Sequence, residues 1–275
     1  MSQGIFNTKA VSVGDLFAGA LIPGLLLVLL YLVYIVFVSA SNPKLAPAIQ
    51  NQESVTASDL FKSVIPPLTL IFAVLGSILT GAATPTEAAG VGALGAISLA
   101  LFKQELNLNN LREISISTTK TTSMVFFMLI GASLFSLIFR GYGGEELIDD
   151  WFSLIPGGTT GALIIVMLVI FLLGFILDFI EITFIVVPIV GPALLAIGVD
   201  PIWLGIMIAV NLQTSFLTPP FGFALFYLRG VAPPQVETKD IYRGIIPFVL
   251  IQVILLFLLS LYPSLATWLP EILYG

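Results

Sequence analysis

Cysteine and histidine are both missing from the 275 residues of this sequence. Without them the chain cannot form disulfides, use a thiol nucleophile or build the common zinc sites. The lack of histidine also excludes a Ser–His–Asp triad. An intramembrane protease would then need two facing aspartates, and Asp178 has no second aspartate in a glycine-flanked apolar motif. We therefore expect a protein that is not an enzyme and that needs no cofactor.

Charged residues are scarce as well, because only 9% of the chain is charged while 58% is hydrophobic. Ten basic residues and a net charge of −6 leave no surface suited to nucleic acid. Several apolar runs reach the roughly 20 residues that cross a lipid bilayer, and strand-like alternation is absent. The first run starts near Leu16 without a preceding basic cluster, so it resembles a membrane helix and not a signal peptide. The composition predicts an all-α polytopic membrane protein in contact with lipid.

The apolar runs predict a series of membrane segments separated by polar stretches. A polar stretch over 103–122, with leucines and isoleucines among its charges, indicates an amphipathic helix lying in the membrane interface. Basic residues favour the cytoplasm for loops 103–122 and 229–243, and the acidic loop 140–157 then faces outward. The predicted segments are 16–38, 64–79, 85–102, 124–139, 159–197, 202–228 and 245–261.

The run 202–228 contains the most informative interruption. Pro219 and Pro220 remove two backbone donors and push Thr218 away from helical torsions. Broken backbone at membrane depth is tolerated where it is buried in protein or lines a watery cavity, as in the binding sites of secondary transporters. The alternative is a simple proline kink. The break predicts a site formed by Asn211, Gln213, Thr214, Ser215, Thr218, Pro219 and Gly222.

Two acids divide the long apolar segment 159–197. Asp178 and Glu181 lie near its middle, close to Thr183, where carboxylates are costly and by default mark an ion or substrate path. Between the outward loop 140–157 and the cytoplasmic loop 229–243, the chain can make either three crossings or a re-entrant hairpin plus one crossing. The two acids favour the hairpin, whose tip would then meet the break. The alternative is that one acid caps a half-helix and the other pairs with a basic residue.

A third motif, Thr84-Pro85-Thr86-Glu87, has the composition of a helix start. Thr84 or Thr86 can cap the helix, Pro85 suits its first turn, and Glu87 lies at the positive end of the helix dipole. Glycines and alanines that follow offer a smooth surface for helix packing in lipid. We interpret this motif as structural.

Three segments together resemble a known family. The sequence from Gly81 to Gly90, the sequence from Gly198 to Gly205 and the sequence Gln213-Thr-Ser-Phe-Leu-Thr-Pro-Pro-Phe-Gly222 are similar, in order and spacing, to the DctM-type large membrane subunit of TRAP transporters. These are tripartite ATP-independent periplasmic transporters. The resemblance extends from about Val13 to the end, but it covers only the C-terminal portion of a typical large subunit.

The resemblance implies one repeat of an inverted-repeat elevator transporter, with a re-entrant hairpin and an unwound transmembrane helix. It implies scaffold helices over 1–102, an arm helix plus span over 103–140, half a transport domain over 141–228 and a cytoplasmic loop with a final span over 229–275. Hairpin 159–197 and unwound helix 202–228 would form half of the site. The other half would come from an N-terminal half of the permease, a separate or missing chain.

The resemblance also implies function. It indicates a permease subunit in the bacterial inner membrane that imports an organic acid with a small four-helix membrane subunit and a periplasmic substrate-binding protein. Sodium would be the coupling ion, held at Thr214 and Thr218, since sodium prefers hard oxygen ligands; proton coupling is the open alternative. An ion channel or a non-transporting assembly subunit is the alternative function.

Overall fold

The computed structural model describes residues 11–43, 57–219, 222–233 and 235–275. Every regular element within these residues is helical, which confirms the predicted all-α class. Five residues of π-helix, Ile182–Val186, join α7 to α8. The helices are α1 (Val13–Ser41), α2 (Ala57–Leu79), α3 (Pro85–Phe102), α4 (Leu108–Gly141), α5 (Gly144–Leu154), α6 (Gly158–Leu173), α7 (Phe179–Glu181), α8 (Val187–Ala196), α9 (Pro201–Phe216), α10 (Phe223–Val231), α11 (Thr238–Leu261) and α12 (Ser264–Tyr274).

Among the described residues, six helical stretches are long and apolar enough to cross a membrane. They are α1, the 60–79 part of α2, α3, α4, the continuous stretch 179–196 and α11. Helices α5 and α6 form a bent pair with an angle of 117° between them. The chain is therefore a multi-pass membrane protein, as the composition predicted.

Helix α4 contains most of the predicted amphipathic stretch 103–122 together with the predicted span 124–139. The amphipathic stretch and the span that follows form one continuous helix of 34 residues. Its length is about 51 Å at 1.5 Å per residue, well beyond a hydrocarbon core of roughly 30 Å. The helix continues because no proline occurs in it and its first glycine is Gly131, so no residue interrupts the hydrogen bonds between arm and span.

The acidic stretch predicted as a loop over 140–157 is also helical. Gly143 has a φ of 76°, a left-handed conformation suited to glycine, and α5 begins directly after it. Glu145 and Glu146 lie in the first turn, where the helix dipole stabilises negative charge. Arg140 Nε lies 3.9 Å from Glu145 Oε1, an exposed pair that contributes little to stability.

The turn before α3 has the predicted cap. Thr84 is the N-cap, its hydroxyl accepts from Glu87 N at 3.4 Å, and a Glu87 carboxylate oxygen accepts from Thr84 N at 2.8 Å. Thr86 lies within the helix and makes no cap. The following small residues allow close packing on α2, since a Cβ at Gly95 would lie 2.3 Å from Leu70 Cδ1.

Two hydrophobic clusters meet at α9. The first joins α9 to α6 and α8 through residues such as Ile170, Leu194 and Ile208. The second joins α9 to α1, α11 and α12 through residues such as Leu27 and Leu255. Helices α2 and α3 contribute no buried residue to either cluster. The division into a scaffold over 1–102 and a mobile part stays a prediction.

Candidate site between a helical hairpin and a broken helix

The segment 159–197 folds as a helical hairpin. Helix α6 forms one arm and the stretch 179–196 forms the other. The arms run antiparallel, because Thr159 Oγ1 at the start of the first donates to the Ile197 carbonyl at the end of the second, over 3.4 Å. The turn occupies residues 174–178, which we call the hairpin tip.

Asp178 and Glu181 cap the start of the second arm. Asp178 is the N-cap of α7, and its Oδ1 accepts from Phe179 N at 2.6 Å. Glu181 Oε2 accepts from Asp178 N at 3.3 Å, which completes a capping box. Among the described residues no salt bridge involves either acid. Capping is thus the contact that the structure shows for both, and their role in handling an ion stays a prediction.

Thr183 lies in the π-helical turn, on its exposed side, while the adjacent Ile182 is completely buried. The turn ends just before Pro188, which has no N–H for the Phe184 carbonyl four residues earlier. The π-helix thus lies where proline disrupts the normal hydrogen bonding. Thr183 therefore faces away from the core of the hairpin, and its membership of the site stays a prediction.

The helix is broken where the two prolines predicted. Helix α9 ends at Phe216 and α10 begins at Phe223; Pro220 lies outside the described residues. Pro219 cannot donate to the Ser215 carbonyl, which instead accepts from Thr218 N at 3.2 Å. The chain resumes its hydrogen bonding when Gly222 N donates to the Thr218 carbonyl at 3.0 Å. We call residues 214–222, the last residues of α9 and the stretch that follows them, the break.

The polar residues at the end of α9 present oxygen atoms to the break. Asn211, Thr214 and Ser215 are buried, whereas Thr218 and Pro219 are half-buried. Thr214 Oγ1 donates to the Asn211 carbonyl, and Thr218 Oγ1 donates to the Thr214 carbonyl at 2.6 Å. Each threonine hydroxyl donates its only hydrogen in these bonds, so the lone pairs of its oxygen remain available to ligate a cation. This donor set is compatible with sodium.

Asn211 links the broken helix to the hairpin through a hydrogen bond. Its Nδ2 donates to the Met167 carbonyl on α6 at 2.7 Å, and the Asn211 side chain is 1% exposed. Interhelical hydrogen bonds of this kind contribute on the order of 1 kcal/mol in membrane proteins. The bond lies about one turn before the break and limits sliding between α6 and α9.

We expect Asn211→Leu to lower the free energy of unfolding by about 1 kcal/mol, because it removes this hydrogen bond between α9 and α6. Gln213→Leu is the matched control, since Gln213 lies on the same helix but is exposed. Thermal unfolding in detergent, followed by circular dichroism, compares the two. Equal melting temperatures for both variants would contradict the role given to Asn211.

The hairpin tip and the first residue of the second arm contact the break. Gly174 packs so closely that a Cβ there would lie 2.5 Å from Ser215 Cβ. The rings of Phe179 and Phe216 have centroids 5.0 Å apart. The structure thus brings the start of the second arm, with its two acids, next to the oxygen-rich end of α9.

Two predicted groups lie elsewhere. Gln213 points away from the hairpin and lines a crevice of about 240 Å³ between α1, α9 and α11, together with Pro23 and Gly24. The Thr84–Glu87 turn lies between α2 and α3, outside both hydrophobic clusters. Neither position is explained by the contact between tip and break, so direct participation of Gln213 in the site stays a prediction.

Sequence reasoning missed four residues of this contact, namely Met167, Gly174, Phe179 and Phe216. Gly174 carried a signal that could have identified it. It is the only glycine between Gly161 and Gly191, in a run of mostly bulky apolar residues. Met167 and the two phenylalanines carried none, because such residues are ordinary filler in membrane helices.

These features define a multi-pass helical membrane protein in which a hairpin is seated on a broken helix. The chain belongs to the DctM family: residues 3–265 match the family model for the DctM component of the tripartite ATP-independent periplasmic transporter. Its relatives named below are transporter permeases and not enzymes.

Three relatives match almost the whole chain. The sialic acid TRAP transporter large permease protein SiaM of Vibrio cholerae is 30% identical over 96% of this chain and 61% of the relative. The C4-dicarboxylate permease DctM of Pseudomonas aeruginosa is 29% identical over 94% and 60%. The ectoine permease TeaC of Halomonas elongata is 27% identical over 97% and 62%. The chain thus spans about three fifths of the length of these relatives.

Proposed function

We propose that this chain supplies half of the substrate and ion site in a sodium-coupled, binding-protein-dependent secondary transporter. The observation that carries the proposal is the contact of the hairpin with the break, through Gly174 on Ser215 and Phe179 on Phe216. Non-helical backbone inside a membrane protein is the usual construction of such a site. Family membership supports the same conclusion.

Sodium is proposed to bind at the end of α9. The hydroxyl oxygens of Thr214 and Thr218 lie in consecutive turns on one face, and both donate their hydrogens into the helix. They offer lone pairs without a net charge, which suits a monovalent cation that must also leave. Asp178 and Glu181 supply the nearby negative charge from the start of the second arm.

The hairpin is proposed to be re-entrant. Its first arm has 16 residues and measures about 24 Å, less than a core of roughly 30 Å, whereas the second arm, 179–196, is long enough to cross. The tip contacts a break that lies between a 16-residue and a nine-residue half-helix, hence well below the membrane surface. Both chain ends of the hairpin then return to one side, as the contact of Thr159 with Ile197 supports.

Transport is proposed to follow an elevator mechanism, in which the hairpin and the broken helix move together against a scaffold. Helix α1 shares a hydrophobic cluster with α9 and α11, and sliding these faces past each other would disrupt that packing. The proposed scaffold is residues 1–102, so the faces of α1 that pack on α9 and α11 are the ones that would have to slide.

The substrate is proposed to be an organic acid or a related small solute. The relatives are named for sialic acid, C4-dicarboxylates and ectoine, all small polar molecules that carry a carboxylate. The proposed partners are a small membrane subunit, a periplasmic substrate-binding protein and the remainder of the permease. The proposed location is the inner membrane of a bacterium.

The test is uptake into proteoliposomes under a sodium gradient. We expect no accumulation of sialic acid, succinate or ectoine by this chain alone, and saturable, sodium-dependent uptake when the three partners are added. Dissipating the sodium gradient is the control. Uptake by this chain alone would contradict the half-site, and unsaturable conductance would favour a channel.

A further inference from the structure

A buried polar pair lies on the other side of α9 from the hairpin. Gln252 in α11 is completely buried, and neither its Nε2 nor its Oε1 forms a hydrogen bond with any described residue. The buried hydroxyl of Tyr31 in α1 likewise finds no hydrogen-bond partner within the described part of the chain. Gln252 faces the Tyr31 hydroxyl, although the contact between the two side chains does not have the geometry of a hydrogen bond.

The depth of this pair follows from the contacts of α11. Trp203 Nε1 donates to the Leu259 carbonyl at 2.8 Å, so the end of α11 lies beside the start of α9. One turn earlier, Leu255 lines the same crevice as Val210 and Gln213. The helices are antiparallel, and Gln252 therefore lies at the level of the break.

Burying an amide and a phenol in lipid without partners is costly, and such groups in proteins are normally satisfied by protein or by ordered water. Aromatic and aliphatic neighbours surround the pair, since Phe248 packs edge-on against Tyr31 with ring centroids 5.1 Å apart. Three polar atoms in an apolar setting match the two to four partners that an internal water requires.

We propose that Tyr31 and Gln252 bind a water molecule between α1 and α11. The water accepts from Gln252 Nε2 and from the Tyr31 hydroxyl and donates to Gln252 Oε1, so each of the three buried atoms gains a hydrogen-bond partner. A sodium ion does not fit, because the amide hydrogens of Gln252 would face the cation. The bound water joins two helices at the level of the break, where apolar packing alone would not fix their register.

The experiment is X-ray radiolytic footprinting of the full chain in lipid nanodiscs, read by mass spectrometry. Hydroxyl radicals form from water at the site and modify the nearest side chains. Tyr34 is the internal control, because it lies one turn away on α1 and packs on the same Phe248. We expect fast oxidation of Tyr31 and slow oxidation of Tyr34 in the wild type.

The variants locate the water. We expect Gln252→Leu to reduce the oxidation of Tyr31 to the rate of Tyr34, and Tyr34→Phe to leave the rate at Tyr31 unchanged. Equal rates at Tyr31 and Tyr34 in the wild type would overturn the proposal without any variant having to fold. Fast oxidation of Tyr31 that persists in a folded Gln252→Leu variant would overturn it too, since the water would then not depend on the amide.

Discussion

Adding one methyl group at the hairpin tip should disable the transporter. We expect Gly174→Ala to lower the rate of uptake by roughly 5- to 150-fold, because its Cβ would lie 2.5 Å from Ser215 Cβ, an atom fixed to the backbone. Relieving this overlap requires the tip to retreat from the break, and such overpacking costs about 1–3 kcal/mol. The measurement is sodium-driven uptake in the complete system, at equal surface expression.

Gly191→Ala is the matched control, since it adds the same methyl group to the same hairpin. Its Cβ would meet only Val187 Cγ1 at 3.9 Å, an ordinary contact, so uptake should be nearly normal. Pairing Gly174→Ala with Ser215→Gly removes the opposing Cβ and should restore much of the loss. Normal uptake by Gly174→Ala alone would show that the tip is free to move without consequence for transport.

Removing one hydroxyl from the break should weaken the coupling to sodium. Thr218→Val keeps the size of the side chain but deletes the oxygen that donates to the Thr214 carbonyl and that is proposed to ligate the ion. Losing one such ligand costs on the order of 1–3 kcal/mol, which raises the half-saturating sodium concentration by roughly 5- to 150-fold. Uptake measured across a range of sodium concentrations gives this value.

Thr119→Val controls for the hydrogen bond itself. Thr119 Oγ1 donates to the Ser115 carbonyl four residues earlier, the same arrangement as Thr218, but on α4. Its sodium curve should match the wild type. Pro219→Ala should act more broadly, because a restored N–H lets the Ser215 carbonyl regain its helical donor and favours closure of the break. Sodium curves unchanged in both Thr218→Val and Pro219→Ala would place the ion elsewhere, most plainly near Asp178.

The class of the protein and the position of its break followed from the sequence because both depend on local chemistry. Few charges and long apolar runs require helices in lipid, whatever the tertiary arrangement. Pro219 lacks a donor in any environment, so α9 had to end near it. The cap at Thr84 is equally local, since its bonds to Glu87 span only three residues.

Other features depended on contacts between distant residues. Asn211 and Gln213 looked equivalent in sequence, but helical geometry turns one toward Met167 and the other toward Gly24. Only the fold decided that Gly174 meets Ser215, and that Tyr31 and Gln252, 221 positions apart in the chain, share a buried polar space. These contacts depend on the packing between helices. In lipid, the close approach of small residues and the pairing of buried polar groups determine which helix faces meet.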